Sequence, residues 1–165
     1  MKKRILIANR GETAKKIIKK CKEMGNESVA IYSPADKEEE FVKLADYSIC
    51  IGSNLLEDSY LNQDKIIAVS KEYNCDAIHP GIGFLSESYD FAENVRKENI
   101  IFIGPSTNLM KLMANKINAR KFVKSIGVPV IPGSNDAINS INEALILCKK
   151  IGFPVILKSA DGGGG

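Results

Sequence analysis

A chain of 165 residues, 44% of them hydrophobic, is long enough to bury a core and suits one domain, or one domain and the beginning of another. Its formal charge of +3, the balance of 23 basic and 20 acidic residues, is too small to require nucleic acid or an anionic membrane as partner. Four scattered cysteines with no CxxC pair, one histidine, no signal peptide and no apolar run of membrane-spanning length argue against a zinc site and suggest a reduced, cytoplasmic protein.

Taken in order, Arg4 to Ala8 is a short apolar run after a basic start, the pattern of a central parallel strand. Asn9-Arg10-Gly11-Glu12 turns it. Ala14, Ile17, Ile18, Cys21 and Met24 then recur at helical spacing, with lysines on the other face and Gly25 as the stop. Glu27 to Tyr32 supplies a second strand, so the chain opens with a βαβ unit. The first turn has one glycine and no GxGxxG, and it puts Glu12 where a pyrophosphate would sit, which disfavours NAD. The acidic run from Asp36 to Glu40 reads as solvated surface or a short helix. Ala45 to Ile51, Asp76 to His79 and Ile100 to Gly104 read as further strands, with helices over Asn62 to Tyr73 and Ser88 to Glu98 and another starting at Ser106. The fold class is α/β with a parallel sheet.

Between the fourth strand and its helix, His79-Pro-Gly-Ile-Gly-Phe-Leu-Ser-Glu87 forms a loop at the carboxyl end of a parallel strand, where ligands of open α/β sheets collect. Taken singly, His79 reads better as a satisfied histidine at a strand end than as a ligand. After Met113 the character changes: a basic helix over Asn115 to Ser125, an extended connector, and an amphipathic helix over Asn139 to Lys150 with Ile141, Ala144, Leu145 and Cys148 inward. Val155 to Leu157 reads as a buried strand ending at Lys158, ahead of Gly162, Gly163, Gly164 and Gly165. A lysine there is costly unless an anion meets it, and bare backbone amides beyond it allow close approach to a phosphate. By itself the segment reads equally as a strand lysine followed by a glycine linker.

Ile7-Ala-Asn-Arg-Gly-Glu12, the loop from His79 to Glu87, Phe102-Ile-Gly-Pro105, Met113-Ala-Asn-Lys116, and Lys158 with the glycine run together resemble the amino-terminal part of biotin carboxylase. That family includes the biotin carboxylase subunits or domains of acetyl-CoA, pyruvate and propionyl-CoA carboxylases. The resemblance implies a Rossmann-like pre-ATP-grasp domain over residues 1–113 and the beginning of an ATP-grasp domain over 114–165, reaching into its glycine-rich lid. The implied reaction uses ATP to activate bicarbonate as carboxyphosphate and passes the carboxyl group to biotin on a carrier protein, as in the first half-reaction of acetyl-CoA carboxylase. Position by position it implies ATP contacts from Lys116, Lys158 and Gly162 to Gly165, and substrate-side roles for His79, Gly83 and Glu87. The Mg2+ carboxylates and the arginine near carboxyphosphate fall beyond residue 165, so no catalytic residue is expected within this chain, nor activity from it alone. Implied partners are a biotin carboxyl carrier protein or domain, a carboxyltransferase and a second copy of the full-length chain. The chain departs from the family pattern at Ile82, where HPGYGFLSE has tyrosine, and at Asp161, where small residues are common. Two further readings are a protein-interaction module docking through the basic first helix, and an ATP-grasp ligase of the carbamoyl phosphate synthetase type.

Overall fold

The computed structural model describes residues 2–159, which fall into two compact units divided between Thr107 and Asn108. The first unit is built on a five-stranded sheet, every neighbouring pair parallel, in the order β3-β2-β1-β4-β5. Its strands are β1 (Arg4–Ile7), β2 (Glu27–Tyr32), β3 (Tyr47–Cys50), β4 (Ala77–His79) and β5 (Ile101–Phe102). The central strands β1 and β2 carry unbroken apolar runs over residues 5–7 and 29–31, because helices cover a parallel sheet on both faces. Leu6, Ile7, Val29, Ala30 and Ile31 are wholly buried.

Helices alternate with these strands: α1 (Gly11–Glu23), α2 (Glu40–Leu44), α3 (Gln63–Glu72) and α4 (Tyr89–Lys97). The Asn62 and Ser88 side chains cap α3 and α4, accepting from the Lys65 and Phe91 amides. Ala14 and Ile18 of α1 and Phe41 of α2 pack on Ile7 and Ala30, which are partners across the β1–β2 ladder. Met24, expected on the apolar stripe of α1, is 68% exposed because it stands after the last helical turn.

Charge clamps the amino edge of the sheet. The Arg4 guanidinium donates to Glu27 and to the Tyr73 carbonyl and stands 4.7 Å from the Tyr47 ring centroid. Asp76 accepts from the Arg4 amide (2.8 Å) and the Lys3 ammonium (2.7 Å). The side-chain hydrogen bond from Lys3 and the backbone one from Arg4 hold its carboxyl below the usual range.

The second unit carries α5 (Thr107–Ala114) apart from its first residue, α6 (Lys116–Ser125) and α7 (Ile141–Ile151). Asn115 caps α6 through the Ile117 and Asn118 amides, and Ser140 caps α7 through Glu143. Two expectations fail here. Of the four residues expected inward on α7, Ile141 and Leu145 are 80% and 49% exposed while Ala144 and Cys148 are half-buried, since the described residues cover that face only in part. Val155 to Leu157 forms no strand either, and Ile156 and Leu157 are 82% and 76% exposed. A strand requires a partner for its backbone N–H and C=O groups, and none of the described strands pairs with this run.

Candidate functional site

Parallel pairing puts the ends of all five strands on one carboxyl edge, so turns far apart in sequence meet there. The ladder between β1 and β4 sets Ile7 opposite His79 and continues one step further, with the Ala8 amide donating to the His79 carbonyl at 2.9 Å. The next residue, Asn9, is 3% exposed. Its Nδ2 donates to the carbonyls of Pro80 (2.8 Å) and Ile82 (2.9 Å), and its Oδ1 accepts from the Arg10 amide (3.0 Å). One buried amide thus joins the turn after β1 to the loop after β4. Both had been singled out in the sequence, but as separate motifs.

His79 is half-buried. Its Nδ1 accepts the Gly81 amide at 3.0 Å, which leaves Nε2 to carry the proton of the neutral ring. Burial lowers the His79 pKa below its ordinary value. The linkage sign follows: unfolded histidine takes up its proton near pH ~6.5, before the folded one does, so folding stability is complete above that pH and declines as pH falls below it. The carboxylates with depressed pKa values act only at more acid pH, where unfolded carboxylates titrate, near ~4. With one histidine in the chain, the wild type should lose urea resistance between pH 7 and pH 5 while His79→Gln stays flat. Equal slopes would refute the assignment.

The sequence reading missed the group beside this loop. Asp36, taken as part of a solvated acidic run, is only 4% exposed. It follows the carboxyl end of β2 in a single 3-10 turn, Pro34–Asp36. Its Oδ2 accepts from Ser33 Oγ (3.0 Å) and from the Tyr60 hydroxyl (2.6 Å), while Oδ1 lies 3.0 Å from Arg10 Nη2. The Ser33 amide donates to the same tyrosine hydroxyl at 3.1 Å. Tyr60 is 1% exposed, and burial followed by the hydrogen bond to Asp36 raises its pKa. The Tyr60 ring stacks on Phe84 of the loop, centroids 5.2 Å apart and planes 10° apart. The available signal was position: a Ser-Pro-Ala-Asp turn at the carboxyl end of a central strand faces the ligand edge, whatever its polarity.

Of the other predicted site residues, Gly83 and Glu87 are exposed on the same loop as His79, and the departure Ile82 is 81% exposed. Lys116 opens α6, and Lys158 is exposed on coil, both in the second unit. Gly162 to Gly165 and Asp161 lie outside the described residues. Of the predicted residues, those of the loop thus belong to the first unit and the two lysines to the second. In chemical kind the two lysines fit a polyphosphate, being compact cations. Among the described residues, no group of three or more His, Cys, Asp or Glu side chains could hold a metal ion, so no Mg2+ ligand set is assigned to them. A cavity of about 840 Å³ in the second unit is lined by Arg120, Lys124 and Lys150 among others, but by neither Lys116 nor Lys158. Among the described residues, no helix is long and apolar enough to cross a membrane.

Residues 1–110 match the family model for the biotin carboxylase N-terminal domain, and residues 115–165 match that for the carbamoyl-phosphate synthase L chain ATP-binding domain. The chain is 49% identical to biotin carboxylase 1 of Bacillus subtilis over 165 residues, covering 100% of this chain and 37% of the relative. It is 46% identical to a biotin carboxylase of Haemophilus influenzae over 166 residues, with the same coverage. The chain thus spans about 37% of the length of these curated relatives. A biotin carboxylase–β,γ-ATP complex from Campylobacter jejuni superposes with a TM-score of 0.91 at 51% identity, covering 98% of this chain and 36% of that one. The biotin carboxylase domain dimer of Hydrogenobacter thermophilus 2-oxoglutarate carboxylase, in complex with MgADP, ADP and bicarbonate, gives 0.90 at 42% identity, covering 99% and 36%. With the family model matched from the first strand through β5, and with relatives similar along the whole of both units, the chain belongs to the biotin carboxylase N-terminal domain family.

Proposed function

We propose that this chain contributes the amino-terminal part of an enzyme that carboxylates carrier-bound biotin with bicarbonate at the expense of ATP. The observation that carries the reading is similarity along the entire chain to biotin carboxylases, including solved relatives bound to a nucleotide and to bicarbonate. Within it, Lys116, Lys158 and Gly162 to Gly165 are assigned to the ATP phosphates. His79, Gly83 and Glu87 are assigned to the substrate side. Magnesium is assigned to residues beyond this chain, so the 165 residues alone should not turn over. The proposed partners are a biotin carrier protein or domain, a carboxyltransferase and a second copy, by analogy with the Hydrogenobacter dimer. The proposed compartment is the cytoplasm. The match of residues 115–165 to a carbamoyl-phosphate synthase ATP-binding domain supports the second reading, a ligase with another acceptor. The NRGE turn and the loop from His79 to Glu87 favour biotin.

A hybrid carrying this chain in place of the matching stretch of the Bacillus subtilis relative tests the assignment. It should release ADP when bicarbonate and biotin are both supplied. A folded hybrid without that dependence overturns the reading. In the same hybrid, Lys158→Gln removes a charge-assisted bond worth roughly 1.5–3 kcal/mol and should weaken ATP binding about tenfold to a hundredfold with an unchanged melting temperature. Lys116→Gln should do likewise to a smaller extent. Unchanged ATP affinity in Lys158→Gln would remove the phosphate role.

A further inference from the structure

We propose that Asp36 and Tyr60 are positioning residues, a buried carboxylate and phenol that tie the Arg10 guanidinium to the Phe84 ring and so set the loop from His79 to Glu87 on the sheet edge. The chain of contacts is continuous: Arg10 Nη2 to Asp36 Oδ1 (3.0 Å), Asp36 Oδ2 to the Tyr60 hydroxyl (2.6 Å), and the Tyr60 ring onto Phe84. The Arg10 guanidinium carbon also stands 5.8 Å from the Tyr60 ring centroid. Each link comes from a different strand end: Arg10 after β1, Asp36 after β2, Tyr60 after β3 and Phe84 after β4.

The loop needs such an anchor. Gly81, Gly83 and Phe84 all have positive φ, at 70°, 73° and 44°. Phe84 is not glycine, so its left-handed backbone persists only where its surroundings hold it. Inside the loop the hydrogen bonds are short-range, Gly81 amide to His79 Nδ1 and Ser86 amide to the Gly83 carbonyl. Asn9 fixes the first half through Pro80 and Ile82. The stacked Phe84 ring fixes the second half. Asp36 is the hub because it is nearly inaccessible to water and accepts from three side chains at once, so removing its charge releases Arg10 and loosens Tyr60 together.

The role deepens the proposed function, since the loop is its assigned substrate side, but the experiment reads loop order and needs no turnover. It can therefore fail while the function stands, and the reverse. Amide exchange in this chain, measured by NMR under conditions where it reports local opening, is compared between the loop (Gly81, Ser86) and the sheet centre (Leu6, Val29). Asp36→Asn and Phe84→Leu should each speed loop exchange about tenfold and leave the sheet amides unchanged, and the double variant should show about tenfold again, because both cut one chain. The signals of His79, the one histidine, should shift alike in all three variants. Additive loop effects of about a hundredfold, or equal acceleration of loop and sheet, would reduce Asp36 to an ordinary buried ion pair and overturn the proposal. If Asp36→Asn does not fold, Tyr60→Phe takes its place in the cycle, keeping the ring and deleting only the hydroxyl. Loop exchange unchanged in Tyr60→Phe overturns the proposal equally.

Discussion

Replacing Gly81 with alanine is expected to lower the stability of the first unit by about 3 kcal/mol, from two separable causes. The first is backbone strain: Gly81 has φ +70°, a conformation that costs a residue with a Cβ about 1–2 kcal/mol. The second is steric. A Cβ at this position would lie 2.6 Å from Asn9 Nδ2, 2.8 Å from its Cγ and 2.9 Å from its Cβ. Asn9 cannot retreat cheaply, because it is buried and its Nδ2 already serves the Pro80 and Ile82 carbonyls. Gly83→Ala provides the control, with φ +73° and nothing within 4 Å of the added carbon, so it carries the strain alone. Urea titration of both variants should show Gly83→Ala losing about 1–2 kcal/mol and Gly81→Ala clearly more. Equal losses would mean that the joint between the two turns yields freely, and that Asn9 does not couple them.

What the sequence revealed and what it hid divide along a physical line. Strand β2 was legible to its end residues, because a central parallel strand buried on both faces is an unbroken apolar run, and Val29 to Ile31 is one. The edge strand β5 contracted to Ile101–Phe102, since a strand with one neighbour is limited by that neighbour's length, and β4 offers three residues. The turn after β1 and the loop after β4 were visible as motifs, but the Asn9 amide that joins them was not, because hydrogen bonding between turns depends on strand order. Asp36 was misread for the same reason. Local polarity predicts exposure only when no partner is folded over the residue, and Arg10, Ser33 and Tyr60 arrive from three different places in the chain. The exposed apolar face of α7 and the unpaired run from Val155 to Leu157 show the converse. Their patterns predict burial, yet burial requires a covering element, and the described residues supply it only in part.

Gly52→Ala is expected to cost about 3 kcal/mol without any φ strain, by collision with backbone. A Cβ built on Gly52 falls 2.0 Å from the Asp58 carbonyl oxygen and 2.8 Å from its carbon. That carbonyl belongs to the single 3-10 turn Leu56–Asp58, and it also accepts from Lys65 Nζ at 2.9 Å. The turn is held on other sides as well: Ser53 Oγ donates to Asp58 Oδ2 (2.8 Å), and Ser59 Oγ to the Leu55 carbonyl (2.7 Å). A flexible side chain could swing away from the new carbon, but a turn bonded on several sides has to move as a body, carrying Ser59 and Tyr60 with it. Both are buried, at 0% and 1% exposure, and Tyr60 is the link between Asp36 and Phe84. The substitution should therefore reach a loop to which Gly52 is not bonded, raising amide exchange at Gly81 and Ser86 more than at Val29 of the sheet centre. Denaturant unfolding gives the stability term and NMR exchange the local one. A loss of less than about 0.5 kcal/mol would show that the segment between β3 and Tyr60 adjusts freely. In that case Tyr60 would be held in place by Asp36, the Ser33 amide and Phe84 rather than by the segment that precedes it.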